Sequence, residues 1–171
     1  SHEMLVGDTG YIRISEFSEV TSDQYKKAFA DLKDQGMKKL VVDLRDNPGG
    51  LLTAVCGVLR QILPEGLIVY TEDKDGNREE EKCDGKNELR IPLAVLVNES
   101  SASASEIFAG AVQDYGIGTI VGTTTYGKGV VQSIRQLSDG SAIKLTVANY
   151  YTPKGNNINK TGIKPDIEVS L

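Results

Sequence analysis

Histidine is the scarcest useful residue in this sequence: one in 171 residues, His2, beside Ser1 at the extreme N-terminus. A Ser-His-Asp triad, a Cys-His pair and a His-based zinc site each need an internal imidazole, so none can be assembled here. Ser1-His2 reads as a cloning scar, with residues 1–9 as a lead-in to the fold. Cys56 and Cys83 are the only two cysteines and lack C-x-x-C spacing, which indicates neither a disulfide framework nor a zinc knuckle. Cys56 lies in an apolar stretch and reads as a small core residue. There is no tryptophan, and aromatics make up 6% of the chain. No apolar run reaches the roughly 18 residues of a membrane span, so any membrane anchor belongs outside this sequence. A basic excess is also missing. With 19 Lys plus Arg against 24 Asp plus Glu, the net charge of -5 excludes the basic stripe of a nucleic-acid binder.

What remains is 39% hydrophobic and 25% charged, the composition of one soluble globular domain with a single core. Gly10 to Ile14 alternates apolar and polar residues and predicts a strand. Thr21 and Gln24 have capping-box spacing ahead of a helix over 22–35, with Tyr25, Ala28, Phe29 and Leu32 on one face and a stop at Gly36. Leu40 to Leu44 is a short β-branched run suited to a strand buried on both faces. It empties into Arg45-Asp46-Asn47-Pro48-Gly49-Gly50, after which helical periodicity runs from Leu51 to Leu63. Leu67 to Thr71 is a further strand. Lys74-Asp75-Gly76-Asn77 supplies a hairpin turn, and the charged stretch 78–88 reads as a solvated arm. Leu93 to Val97 repeats the buried-strand pattern. It leads into Asn98-Glu99-Ser100-Ser101-Ala102-Ser103-Ala104-Ser105-Glu106 and an amphipathic helix through Ile107, Phe108, Ala111, Val112 and Tyr115. If these two strands are parallel, both loops meet at the carboxyl edge of the sheet, where α/β folds bind ligands. Strands at 119–121, 130–137 and 142–151 follow, then a loop and a last strand near Ile167.

Three features at these loops can carry chemistry. The four serines at 100, 101, 103 and 105 have a plain reading as helix caps. Ala102 and Ala104, however, leave the backbone around Ser103 open, and a helix N-terminus presents unpaired N–H groups to an anion. Pro48-Gly49-Gly50 is ordinary turn chemistry, or a site where a backbone N–H faces a substrate oxygen with no Cβ in the way. Lys128 lies between Gly127 and Gly129 and leads into an apolar strand. It is either a solvated surface charge or a partly desolvated amine able to act as general base, with Gln132 four residues on to orient it. With no internal histidine, Lys128 is the natural partner for Ser103.

The four segments Asp43–Leu52, Val97–Glu106, Tyr126–Gln132, and Tyr151-Thr152-Pro153 with Gly162–Asp166, taken in order, resemble the carboxy-terminal processing peptidases, or tail-specific proteases. The resemblance runs from Gly10 almost to the end. It implies an α/β fold with a crotonase- or ClpP-like core, a central mixed β-sheet flanked by helices, and a β-hairpin arm. It implies a serine endopeptidase with a Ser/Lys dyad that cleaves protein substrates near their C-termini. The family's serine precedes its lysine by 25 positions, which selects Ser103 (128 − 103 = 25). The supporting glutamine falls on Gln132, and the oxyanion donors on Ala104 and a glycine of the Pro-Gly-Gly loop, Gly49 in preference to Gly50. No cofactor and no metal are required.

Partners implied by the resemblance are protein or peptide substrates with accessible C-termini and, in the full-length protein, a PDZ domain that binds those termini. Residues 10–171 then form the peptidase core without that PDZ domain. The resemblance places the protein outside the cytoplasm, in the periplasm, the cell envelope or the thylakoid lumen. Two other readings keep the fold: a peptide-binding scaffold in which the serines only cap a helix, and a crotonase-like acyl-thioester enzyme. The latter would call for a basic cluster beside the glycine loops, which the sequence lacks.

Overall fold

The computed structural model describes residues 1–170. In chain order the elements are β1 (His2–Leu5), β2 (Thr9–Arg13), α1 (Thr21–Asp34), β3 (Lys39–Asp43), α2 (Leu52–Leu59), β4 (Gly66–Asp73), β5 (Arg78–Cys83), β6 (Leu93–Val97), α3 (Ala104–Tyr115), β7 (Thr119–Gly122), β8 (Val130–Gln136), β9 (Ala142–Tyr151) and β10 (Ile167–Glu168). They build a six-stranded sheet in the order β1-β2-β3-β6-β7-β10 and a four-stranded sheet in the order β5-β4-β9-β8. In the first, β2, β3, β6, β7 and β10 are parallel and only β1 runs against its neighbour. The second is antiparallel throughout.

The parallel strands are short apolar runs because both of their faces are covered. Leu40, Val42, Val95, Val97 and Ile120 are all buried. α1 turns Tyr25, Ala28 and Leu32 inward at the 3.6-residue period. α2 is apolar almost all round because it packs between α1 and α3. Phe108 of α3 is fully buried and meets Phe17 with ring centroids 6.4 Å apart. Truncating such a residue to Ala typically costs about 3–5 kcal/mol.

Several expectations change. Residues 2–5 of the expected lead-in form β1, paired with β2, and the single histidine contacts Asp31 through Nε2 at 2.8 Å. The capping box at Thr21 and Gln24 does not form. Val20 occupies the cap position without a side-chain bond, and Thr21 Oγ1 instead accepts the Ser18 N–H and donates to the Glu16 carbonyl. α2 ends at Leu59 rather than Leu63. The chain there tightens into turns, with Gln61 N–H on Val58 O and Ile62 N–H on Leu59 O, while Ile62 and Leu63 stay buried. That burial is why the apolar periodicity outran the helix. The charged arm is the β4–β5 hairpin. Arg78 and Glu80 pair at 2.9 Å along β5, and Glu81 ties the arm to Arg60 at the end of α2 at 2.9 Å.

Candidate active site

β3 and β6 are parallel neighbours in the register Asp43↔Leu96, so the loops that follow them leave the same sheet edge. Hydrogen bonds between the loops then fix them together. Ala102 N–H donates to Asn47 O at 3.0 Å and Ser105 Oγ to the same oxygen at 3.0 Å, while Ser101 Oγ donates to Leu44 O at 2.8 Å. Asn47 is fully buried and anchors its loop through Nδ2 to Ile14 O at 2.7 Å.

These bonds sort the four serines. Ser101 and Ser105 are buried and spent on backbone carbonyls, and Ser100 is exposed in a turn. Ser103 is half-buried at the N-cap of α3, where it forms a capping box with Glu106, whose carboxylate accepts the Ser103 N–H at 3.0 Å. Its backbone sits at φ 55°, ψ -113°, a conformation that non-glycine residues avoid at a cost of about 1–3 kcal/mol. A strained strand-to-helix turn of this kind is how α/β hydrolases lift a nucleophilic hydroxyl clear of the backbone.

Gly49 faces this serine. A Cβ on Gly49 would lie 2.8 Å from Ser103 Cβ, 2.8 Å from Ala102 O and 3.0 Å from Ala104 N, filling the space in front of the Ala104 amide. Its φ of +107° also demands glycine. Its own N–H donates to Asn47 Oδ1 at 2.8 Å, whereas the Ala104 and Gly50 N–H groups have no partner among the described residues. The hole expected from Ala104 and Gly49 therefore has one donor open and one engaged. Gly50 is pinned beside Phe17, since a Cβ on it would lie 2.0 Å from Phe17 O.

Glu106 carries a role that sequence reasoning missed. The side chain is fully buried and its two oxygens take four donors. Oε1 accepts the N–H of Ser103 at 3.0 Å and of Lys128 at 2.8 Å; Oε2 accepts Thr125 Oγ1 at 2.7 Å and the N–H of Gly127 at 2.8 Å. One carboxylate thus joins the serine turn to the lysine loop. The S-x-x-E spacing of Ser103 and Glu106 is a capping signature that could have found it.

Of its two readings, Lys128 takes the exposed one. Its backbone is tied to Glu106, but its side chain is exposed and its Nζ makes no hydrogen bond or ion pair among the described residues. Burial there stops at the Gly129 backbone, against which Asn159 and Ile158 pack. Gln132 is likewise exposed, and no hydrogen bond joins it to Lys128 among the described residues. The β8–β9 pairing shifts register between Val131 and Gln132, so Gln132 lies beyond an irregularity in the strand that follows Lys128. The structure brings Ser103, Ala104 and Gly49 into one cluster, with the Lys128 backbone joined to it through Glu106.

A second buried carboxylate lies beneath the same edge. Asp43 is fully buried at the end of β3 and accepts Arg45 Nη2 at 2.7 Å, Arg45 Nε at 3.0 Å and the Tyr11 hydroxyl at 2.6 Å. Burial pushes its pKa up, yet the bonds from Arg45 and Tyr11 outweigh it and hold the carboxyl below its usual value. Its signal was a lone acid closing an apolar run. Cys56 is inert by contrast: burial in the core pushes its thiol up to about 12. No helix among the described residues is long and apolar enough to cross a membrane.

The central mixed sheet, flanking helices and hairpin sheet form the ClpP-like α/β core of a class of proteases. Within that class the chain belongs to Peptidase family S41, whose model matches residues 8–169. It is 48% identical over 157 residues to the carboxyl-terminal-processing protease of Synechocystis sp., covering 92% of this chain and 37% of that protein. It is 43% identical over 161 residues to the chloroplastic C-terminal processing peptidase of Tetradesmus obliquus, covering 94% of this chain and 35% of that protein. Among solved structures, it superposes on the photosystem II D1 C-terminal processing protease with a TM-score of 0.89 at 41% identity, over 98% of this chain and 45% of that one. The chain spans little more than a third of the length of these curated relatives.

Proposed function

We propose that this chain is the catalytic core of a serine endopeptidase that cleaves polypeptides near their C-termini, with Ser103 as nucleophile and Lys128 as general base. The observation that carries the proposal is Glu106: it holds the N–H groups of both residues on one oxygen, at 3.0 Å and 2.8 Å, while Ser103 is kept in a strained turn. A buried acceptor that spans two loops in this way supports their joint use.

Substrate enters over the exposed Lys128 side chain, whose amine serves as the general base. The amine then takes the Ser103 proton, and Oγ attacks the scissile carbonyl carbon. The Ala104 N–H stabilises the oxyanion, joined by Gly49 once its N–H leaves Asn47 Oδ1, or by Gly50. Collapse of the tetrahedral intermediate breaks the C–N bond, and the ammonium gives its proton to the departing amine. Water, deprotonated by the same lysine, attacks the acyl-enzyme, and the proton returns to Ser103. Gln132, four residues on, is assigned to orient the amine. A PDZ domain elsewhere in the protein that reads substrate C-termini, and a location outside the cytoplasm, belong to the same proposal.

The experiment is turnover of an unstructured, apolar-tailed polypeptide by the parent and by Ser103→Ala and Lys128→Ala. Each variant is expected to lose at least about 10³-fold in kcat. Cleavage by both variants at the parent rate would refute the dyad.

A further inference from the structure

Tyr126 is the most exposed aromatic side chain near the site, with 68% of its surface open to solvent. Its backbone is among the most tightly held. The Tyr126 N–H donates to Ser101 O at 3.0 Å, and the Thr125 N–H to Ile163 O at 3.1 Å. The Gly127 and Lys128 N–H groups are both fixed on Glu106, and the Gly127 carbonyl accepts the Lys160 N–H at 2.8 Å. The ring itself has no aromatic partner and its hydroxyl no hydrogen bond among the described residues. A large ring in water on a rigid loop forgoes the stabilisation that burial gives such side chains. Rigid, exposed aromatics of this kind bind well, since their order is already established before the partner arrives.

Tyr126 stands two positions before Lys128 and takes its backbone bond from the serine loop itself, two positions before Ser103. The ring therefore stands on the short loop that is bonded at one end to the serine turn and at the other to Glu106. The part of a polypeptide that buries well against a phenol face is an apolar side chain.

Resting on the peptidase reading above, we infer that the Tyr126 ring is one wall of the subsite for a substrate side chain next to the scissile bond, and that it selects an apolar residue there. The remaining wall is the substrate-facing surface of the same loops, so removal of the ring weakens selection without dismantling the turn.

The test uses synthetic peptides of one sequence that differ only at the residues flanking the bond cut by the parent, with Leu or Val in one set and Asp or Glu in the other. The kcat/KM ratio, apolar over charged, is measured for the parent, Tyr126→Phe and Tyr126→Ala. Tyr126→Phe is expected to keep the parent ratio, and Tyr126→Ala to lower it about tenfold, the scale of discrimination an apolar contact supplies. Equal loss on both peptide sets, with the ratio unchanged, would assign the ring a structural role and overturn the inference, as would an unchanged ratio with no loss. A parent that cleaves neither set and does not react at Ser103 with a fluorophosphonate would instead refute the peptidase reading itself.

Discussion

Lys128 N–H and Ser103 N–H converge on a single atom, Glu106 Oε1, at 2.8 Å and 3.0 Å. The loops that bear them are separated in sequence by all of α3 and β7. Their relative placement therefore depends on a side chain that contributes no chemistry to the reaction. Burying a carboxylate is costly unless it is fully hydrogen-bonded, and the four donors here meet that requirement.

Replacing Glu106 with Gln turns part of this acceptor into a donor that faces backbone N–H groups. Leaving buried donors unpaired costs about 1–3 kcal/mol each. Glu106→Gln is expected to lower unfolding free energy by at least about 2 kcal/mol and to reduce kcat more than KM changes. Denaturant unfolding paired with steady-state kinetics checks this; a variant with parental stability and kcat would show that the carboxylate is dispensable.

Gly49→Ala places a methyl group 2.8 Å from Ser103 Cβ and 3.0 Å from Ala104 N. Loss of one oxyanion donor alone is worth about 10²–10³ in kcat. A fall of that order is expected in peptide turnover, and retained activity would exclude this loop from the oxyanion site.

Ser103→Gly relieves the positive φ of 55° that serine tolerates poorly. The variant is expected to be inactive yet more stable by about 1 kcal/mol, the gain from lost strain exceeding the added chain entropy of glycine. Calorimetric melting decides it: a lower melting temperature would contradict strain at the turn.

Two buried acids give opposite pH dependences. Cys56 has its thiol raised from 9.0 to about 12 by burial, so the stability it contributes is intact below pH 9 and is lost as pH rises toward 12. Unfolding free energy of the parent minus that of Cys56→Ala should fall over that alkaline window, and a flat difference would contradict the burial.

Asp43 is held below its usual 3.8 by Arg45 and Tyr11. Its contribution is present above that value and is lost as pH falls through the lower folded value. Asp43→Asn is expected to be less stable at neutral pH and to lose less on further acidification than the parent does, as followed by circular dichroism; parallel acid curves would count against the pair.

The parallel strands β3 and β6 and the start of α3 at Ala104 were legible because short β-branched runs and a 3.6-residue stripe leave few alternatives. Thr21 misled because its hydroxyl is used on the loop before the helix rather than on the helix itself. Glu106 and Asp43 were in view as letters of motifs, and their near partners Ser103 and Arg45 lie within reach of a local pattern, but Thr125 and Tyr11 stand 19 and 32 positions away, which no local pattern reveals. The exposure of Lys128 was one of two readings left open, since flanking glycines bring backbone close without enclosing a four-carbon side chain.

The most direct measurement treats the protein with a fluorophosphonate and locates the adduct by peptide mapping, in the parent and in Lys128→Ala. The account predicts a single adduct on Ser103 in the parent and at least about a hundredfold slower labelling without the lysine amine. An adduct on Ser100, Ser101 or Ser105, or labelling of Lys128→Ala at the parental rate, would contradict it.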